Sequence, residues 1–430
     1  MPSRSEHGGR GRIHRNQFEH AVALLERVLT TQAPADALMN AYFRSQPKMG
    51  SQDRSFAAET VFTVLRRWRA LETVAGRSDP RALVLACLLS QGASAEALMH
   101  LTRAEDQAWL LSLPPGAVPR ASLTPAVASG FPDWVYDRIA TVSPEADIVA
   151  LGVSLQRAAP LDLRVNPLRM TREAARTALR AEGLDAAPTP LSPLGIRLEA
   201  KVNLRRHPLF ESGAIEVQDE GSQLLAYALD PKPGERVVDF CAGSGGKALL
   251  MGALMQSRGT LYAFDVSGPR LENLTPRLRR SGLSNVHPRL LQGENDTPVK
   301  RMRGTIDRVL VDAPCSGFGT LRRNPDLKWR QSPGGVDEII AKQDRILRAA
   351  ARLVKPGGRL VYATCSLLPD ENEVLVRRFL AEAPEFTPLR TADVFAAHGI
   401  PLDTGDFLQL RTHVHHTDSF FAAILQHRPI

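Results

Sequence analysis

Four residues in the C-terminal half of this 430-residue chain have types and settings suited to covalent chemistry: Cys315, Cys365, Asp312 and Lys247. Cys315 stands in Asp312-Ala-Pro-Cys-Ser-Gly-Phe-Gly-Thr320, and Cys365 in Thr364-Cys-Ser-Leu-Leu-Pro-Asp-Glu-Asn-Glu373. Each follows a strand-like apolar run and lies beside a loop rich in Pro, Gly and Ser. A cysteine is more often a small buried hydrophobe than a nucleophile. Two of the chain's four, placed alike, are harder to assign to packing alone. Upstream, Val237-Val-Asp-Phe-Cys-Ala-Gly-Ser-Gly-Gly-Lys247 has a glycine-rich turn that lets a ligand approach the backbone, although tight strand-to-helix packing uses the same residues. The spacing fails the GxxxxGK[ST] phosphate loop and is an imperfect GxGxxG. Asp265 follows about 20 residues on, where an acidic side chain can accept the two hydroxyls of a ribose. A dinucleotide or S-adenosylmethionine fits that pairing. A hydride-transferring enzyme has no use for the two thiols, which favours S-adenosylmethionine.

These residues need a scaffold that brings separate loops to one edge. From Gly221 onward the sequence alternates strand, loop and helix, with candidate strands at Arg236–Cys241, Thr260–Phe264, Val286–Leu291, Ile306–Asp312 and Arg359–Thr364 and a helix at Val336–Val354. Such alternation predicts a doubly wound, mostly parallel sheet. Phe420–Leu425 reads as a last, antiparallel strand. The fourth and fifth strands are then neighbours, and Cys315 and Cys365 share the carboxyl edge with the glycine-rich turn.

Two further regions precede this α/β domain, which is expected over 221–430. Residues 1–140 read as all-α: Phe18, Val22, Leu25 and Val28 share one helix face, and Val61, Val64, Leu65, Trp68 and Leu71 another. Arg66, Arg67 and Arg69 beside the second stripe suit either a solvated face or RNA phosphate. Residues 150–220 alternate short strands (Leu161–Val165, Ile215–Val217) with a helix (Arg172–Glu182) and read as a small α+β module.

The chain carries a net charge of +8, and residues 221–430 hold 28 basic against 22 acidic groups. A basic, Arg-heavy balance leans toward nucleic acid without proving it. Four scattered cysteines exclude a disulfide framework and suit a reducing cytoplasm. The basic, Gly/Ser-rich Met1–Asn16 lacks the apolar core of a signal peptide, and the longest apolar run, Ala82–Leu89, is too short to span a bilayer. No membrane association is expected. His413, His415 and His416 lack the spacing and partners of a metal site, and none is expected.

The stretch Val217-Gln-Asp-Glu-Gly-Ser-Gln223, with Cys241–Lys247, Asp312-Ala-Pro-Cys-Ser-Gly317 and Thr364-Cys-Ser366, resembles the RNA cytosine-5 methyltransferases of the RsmB/Sun type. Leu163-Arg-Val-Asn-Pro167 is similar to that family's linker module, of RRM or ferredoxin-like kind. Asp53–Phe62 and the Arg-rich helix after it are similar to its NusB-like RNA-binding domain, which points to the bacterial 16S ribosomal RNA branch. The resemblance implies a Rossmann-like methyltransferase domain using S-adenosylmethionine and forming 5-methylcytosine in ribosomal RNA; a monomer is the default expectation. It implies that Cys365 adds to carbon 6 of cytosine, that Cys315 assists release, and that Asp312 holds the polar edge of the base. Lys247 would tune a thiol or contact the base, unless it is a surface lysine at a helix start. The cofactor would lie on Cys241, Ala242, Gly243, Ser244, Gly245, Gly246 and Lys247, with Asp265, Asp312 and Glu294; register favours Glu294 over Asp296 for the adenine side. Ser244, Ala248 and Ser419 stand where the family has Pro, Thr and Gly, departures that touch loop geometry and no catalytic group. Arg322, Arg323, Lys328, Trp329 and Arg330 mix cations with an aromatic just after the Cys315 loop and are expected to bind RNA. The same chemistry on transfer RNA, a catalytically silent RNA-binding assembly factor and a dehydrogenase remain the alternatives.

Overall fold

A computed structural model describes residues 13–116, 122–199 and 202–429. Most of the basic N-terminal stretch, Met1–Arg12, lies outside the described residues. The chain forms two compact units: residues 1–157 with 321–330, and residues 158–320 with 331–430.

The first unit is helical. Its main helices are Arg15–Thr30, Ala35–Ser45, Ser51–Ala75 and Pro80–Ser90, and helical structure continues past 140 through Glu145–Leu155. Phe18, Ala21, Leu24, Leu25 and Val28 bury one face of the first helix against Val61, Val64 and Leu65 of the third. Gly76 ends the third helix in the left-handed conformation that lacks a Cβ penalty, and Pro80 opens the fourth behind an Asp79 cap. Cys87 is buried in that apolar fourth helix.

The second unit contains two sheets. Strands β1 (Leu161–Val165), β2 (Ala186–Pro188), β3 (Gly195–Leu198) and β4 (Ile215–Val217) form an antiparallel sheet ordered β2-β3-β1-β4, with Ala175 and Leu179 of helix Arg172–Ala181 in its core. The larger sheet holds β5 (Arg236–Asp239), β6 (Thr260–Asp265), β7 (Val286–Leu290), β8 (Ile306–Asp312), β9 (Val354–Thr364), β10 (Phe386–Pro388), β11 (Leu408–Leu410) and β12 (Phe420–His427). Its order is β10-β12-β9-β8-β5-β6-β7, with β11 paired to β12. Strands β5 to β9 run parallel, and β12 is antiparallel to β9 with Phe421 opposite Thr364. The expected strands are therefore present, and helix Pro333–Ala351 starts one turn earlier than the apolar pattern suggested because Pro333 follows a Ser332 cap. Strands β10 and β11, at three residues each, are too short to leave a periodic signal.

The sheet order reverses between β5 and β8, since β6 and β7 lie to one side and β8 and β9 to the other. This is the switch point where open α/β sheets leave a crevice beyond the carboxyl ends of their strands. The loops carrying Cys241–Lys247, Asp312–Cys315 and Cys365 all start from that edge.

Candidate active site

The crevice is a cavity of about 810 Å³ lined by Asp239, Cys241–Ser244, Gly246, Lys247, Asp265, Glu294, Asp312, Cys315 and Cys365, among others. Its size suits a nucleoside cofactor with room for a base.

Its floor is the glycine-rich turn. Gly243 and Gly245 have φ of 56° and 79°, a region costly for residues with a Cβ. A Cβ on Gly245 would stand 2.1 Å from Leu274 Cδ1, whereas one on Gly243 would meet open space. Gly245→Ala is therefore expected to destabilise the protein by about 2–4 kcal/mol and Gly243→Ala by only about 1 kcal/mol, compared by urea unfolding. Equal losses would contradict the close packing of turn on helix.

Asp265 accepts the N–H groups of Gly243 and Ser267, both at 2.8 Å, so its carboxylate is fixed at the end of β6. Two arginines hold the turn from the other side. Arg164 of β1 donates to the Gly246 carbonyl and to Gln218 Oε1, each at 2.5 Å, and Arg277 donates to the Ser244 carbonyl at 2.6 Å while pairing with Glu216. The small β1–β4 module thus braces the turn. Residue types alone gave no sign of this. Arg164 only interrupts an apolar strand, and its partners are distant in sequence.

Glu294 lines the cavity, and its carboxyl is held below its usual range by its own backbone N–H and by Arg345 at 3.1 Å. Asp296 is instead occupied as a helix cap, accepting the N–H groups of Gln292 and Thr297.

Cys315 and Cys365 meet with Sγ atoms 3.4 Å apart, both as free thiols. Contact with Cys365 and burial push the Cys315 thiol well up, and burial does the same to Cys241. Lys247 is no surface lysine: its side chain is 14% exposed and its Nζ lies 2.6 Å from Asp312 Oδ2. Burial alone would lower its pKa, but Asp312 reverses this and leaves the ammonium raised, with Asp239 and Cys365 adding to the effect. Asp239, at the end of β5, is 1% exposed, and neither carboxylate oxygen has a well-aligned hydrogen-bond partner among the described residues. Burial, reinforced by Asp312, pushes it up to about 7. The sequence reading assigned it no role.

Glu371 was also missed. Nothing local in Pro369-Asp-Glu-Asn-Glu373 sets it apart from its acidic neighbours, yet it is fully buried beneath both cysteine loops.

The Arg322–Arg330 cluster requires correction. Residues 321–330 belong to the helical unit, where Lys328 is 4% exposed and donates to the carbonyls of Arg66 and Gly130, both at 2.9 Å. Burial, with Arg66 and Arg69 nearby, lowers its ammonium to about 7. Trp329 stacks at 5.2 Å on Trp68 and donates to the Leu65 carbonyl. Arg322 is buried, its carbonyl accepting from Arg66, and Arg330 pairs with Asp326. Arg323 is partly exposed. The cluster donates to backbone carbonyls of the helix Ser51–Ala75 and of Gly130 and fills an apolar gap, so Lys328, Trp329 and Arg322 do not offer a phosphate-binding rim. Arg66 and Arg69 are likewise spent on carbonyls and on Asp133.

Among the described residues, no group of three His, Cys, Asp or Glu side chains could hold a metal ion, and no helix is long and apolar enough to cross a membrane.

Residues 226–426 match the family model for the 16S rRNA methyltransferase RsmB/F, and residues 131–205 match the RsmF/B-like ferredoxin-like domain. The chain belongs to the RsmB/F methyltransferase family. The probable ribosomal RNA small subunit methyltransferase B of Synechocystis is 36% identical over 301 residues, which is 69% of this chain and 66% of that protein. The corresponding probable enzyme of Bacillus subtilis is 34% identical over 264 residues, 60% of this chain and 58% of its own length. The chain thus spans 58–66% of the length of these curated relatives. The crystal structure of PH0851 aligns with a TM-score of 0.75 at 25% identity, covering 96% of this chain and 99% of its own. For the RsmB/F member described here, family and fold agree with the crevice, the glycine-rich turn and the antiparallel last strand.

Proposed function

We propose that this protein transfers a methyl group from S-adenosylmethionine to carbon 5 of a cytosine in 16S ribosomal RNA, in the cytoplasm. The observation that carries the proposal is the pair of thiols 3.4 Å apart, at the end of a nucleoside-sized cavity beside Lys247 and Asp312. The curated relatives named as small-subunit rRNA methyltransferases support the choice of RNA.

The cavity fits the cofactor in charge as well as size. Asp239, Asp265, Glu294 and Asp312 face it, and a sulfonium with an α-ammonium group is cationic. Asp265 suits the ribose hydroxyls, Glu294 the adenine side, and the Cys241–Lys247 turn the rest. When bound, S-adenosylmethionine supplies an electrophilic methyl group.

The chain's own residues make the target base able to accept it. Carbon 5 of cytosine is a weak nucleophile. Addition of the Cys365 thiolate to carbon 6 forms an S–C6 bond and makes carbon 5 enamine-like. Lys247 lines the same cavity as Cys365 and can contact the base. Asp312 keeps its pairing with Lys247 through one oxygen, and the other can accept from the base's amino edge. After methylation the proton on carbon 5 must leave as the S–C6 bond breaks. Cys315, in contact with Cys365 and held protonated by its surroundings, can donate its proton to the departing Cys365 sulfur, while the carbon-5 proton passes to solvent water and solvent returns a proton to Cys315. The target must be unpaired or extruded, because a stacked base cannot admit a thiol to carbon 6.

Asp239 gives a test that needs no RNA. Its folded-state pKa is raised to about 7, so its stabilising proton is lost as pH rises through that value. Asp239→Asn should raise the melting temperature of the cofactor-free protein by several degrees near pH 8, with a smaller gain near pH 5. The same variant should bind S-adenosylmethionine more weakly by calorimetry, since an unpaired carboxylate facing the cation is gone. A variant no more stable near pH 8, or one binding the cofactor as tightly, would contradict the charge-matched cavity.

A further inference from the structure

We propose that Glu371 is the positioning residue that sets the spacing of the Cys315 and Cys365 thiols, by tying the loop of one to the loop of the other. The consequence for catalysis rests on the methyltransferase reading above; the geometric claim does not.

Glu371 is fully buried in the short turn Pro369–Glu371. Its Oε1 accepts the Ser316 N–H at 2.8 Å and Gln343 Nε2 at 2.9 Å. Its Oε2 faces the hydroxyls of Ser316, at 2.5 Å, and of Ser366. Ser316 and Ser366 directly follow the two cysteines, and their Oγ atoms are 2.9 Å apart. Gln343 also donates to the Pro314 carbonyl at 2.9 Å, fixing the residue before Cys315. The backbone of the turn is pinned as well, through Tyr362 Oη to the Glu371 carbonyl at 2.8 Å and Asn372 Nδ2 to the Ser366 carbonyl at 3.0 Å. One carboxylate therefore grips both loops one residue from each sulfur.

Packing alone does not account for this choice of residue. Burying a carboxylate is costly, and among the described residues no cation pairs with Glu371 to offset it. An apolar side chain would fill the space more cheaply. A carboxylate, with two acceptor oxygens, can take all four donors that Ser316, Ser366 and Gln343 present. The same carboxylate adds, after contact with Cys365 and burial, to the forces keeping Cys315 protonated, which suits a thiol that handles a proton rather than adding to the base.

The test uses phenylarsine oxide on the full chain. The trivalent arsenic bridges two neighbouring thiols, forming two S–As bonds and releasing one water, and needs neither RNA nor turnover. In the wild type, one equivalent should protect Cys315 and Cys365 together from iodoacetamide, as mapped by mass spectrometry. Glu371→Gln keeps the shape but places a donor where an acceptor is required. It should weaken arsenical binding by about tenfold or more and lower kcat by about 100-fold, while the Kd for S-adenosylmethionine stays at the wild-type value. Glu371→Asp, too short to span both loops, should not rescue either quantity. Should Glu371→Gln fail to fold, the double variant Ser316→Ala with Ser366→Ala leaves the carboxylate but removes its hydroxyl donors, and the same losses are expected. Wild-type arsenical affinity in a folded variant of either kind would overturn the positioning role. Weakened bridging in a protein that methylates no RNA would instead uphold that role and count against the methyltransferase reading alone.

Discussion

Cys365→Ala protein should bind S-adenosylmethionine with wild-type affinity and transfer no detectable methyl group, a fall in kcat of roughly four orders of magnitude or more. The expectation follows from the position of Cys365 directly after β9, on the carboxyl edge, where it touches Cys315 and lines the same cavity as Lys247 and Asp312. In the proposed function the cofactor's ribose and adenine contacts would come from the end of β6 and the loop after β7, so the substitution leaves them untouched. Calorimetry with the cofactor and a filter assay for radiolabelled methyl transfer separate the two effects. Residual turnover near the wild-type level would move the nucleophile elsewhere, and weakened cofactor binding would mean that the loss is one of structure.

The opposite phenotype is expected from Cys315→Ala. Addition through Cys365 and methyl transfer can proceed, but release slows. A protein–RNA adduct that survives denaturing gel electrophoresis should then accumulate, in amounts approaching the enzyme present. In the wild type that species turns over and stays scarce. The Sγ–Sγ distance of 3.4 Å places Cys315 against the sulfur whose bond to carbon 6 must break. The double variant Cys315→Ala with Cys365→Ala should form no adduct. An adduct persisting in the double variant would show attachment through some other residue, and a single variant that turns over normally would remove Cys315 from the release step.

Much of the scaffold was legible because its signals are local. Alternating apolar strands and amphipathic helices specify a parallel sheet, and a parallel sheet sends its carboxyl-end loops to one edge, so Cys315, Cys365, Asp265 and the glycine-rich turn could be gathered from order alone. Glu294 lines the cavity, whereas Asp296 is consumed by the helix it caps. What escaped was burial decided by tertiary partners. Lys328 and Trp329 look like a rim of cations and aromatics in sequence, but the short helix Leu327–Arg330 packs within the first unit, where Lys328 is buried and donates to the Arg66 and Gly130 carbonyls. Nothing local sets Glu371 apart from its acidic neighbours, and only the meeting of two loops reveals its donors. Arg164 and Asp239 escaped for the same reason. A charged residue in a strand carries no mark telling whether it faces a carbonyl, a cavity or water.

The central claim is covalent methylation of cytosine in small-subunit ribosomal RNA, and bisulfite sequencing tests it most directly. Purified protein is incubated with S-adenosylmethionine and 16S RNA lacking the modification, and the product is sequenced alongside parallel reactions with Cys365→Ala protein and with transfer RNA as substrate. One protected cytosine is expected in the 16S RNA with wild-type protein, and none with the variant or in transfer RNA. Protection that persists with Cys365→Ala protein, that falls only in transfer RNA, or that is absent altogether would contradict it.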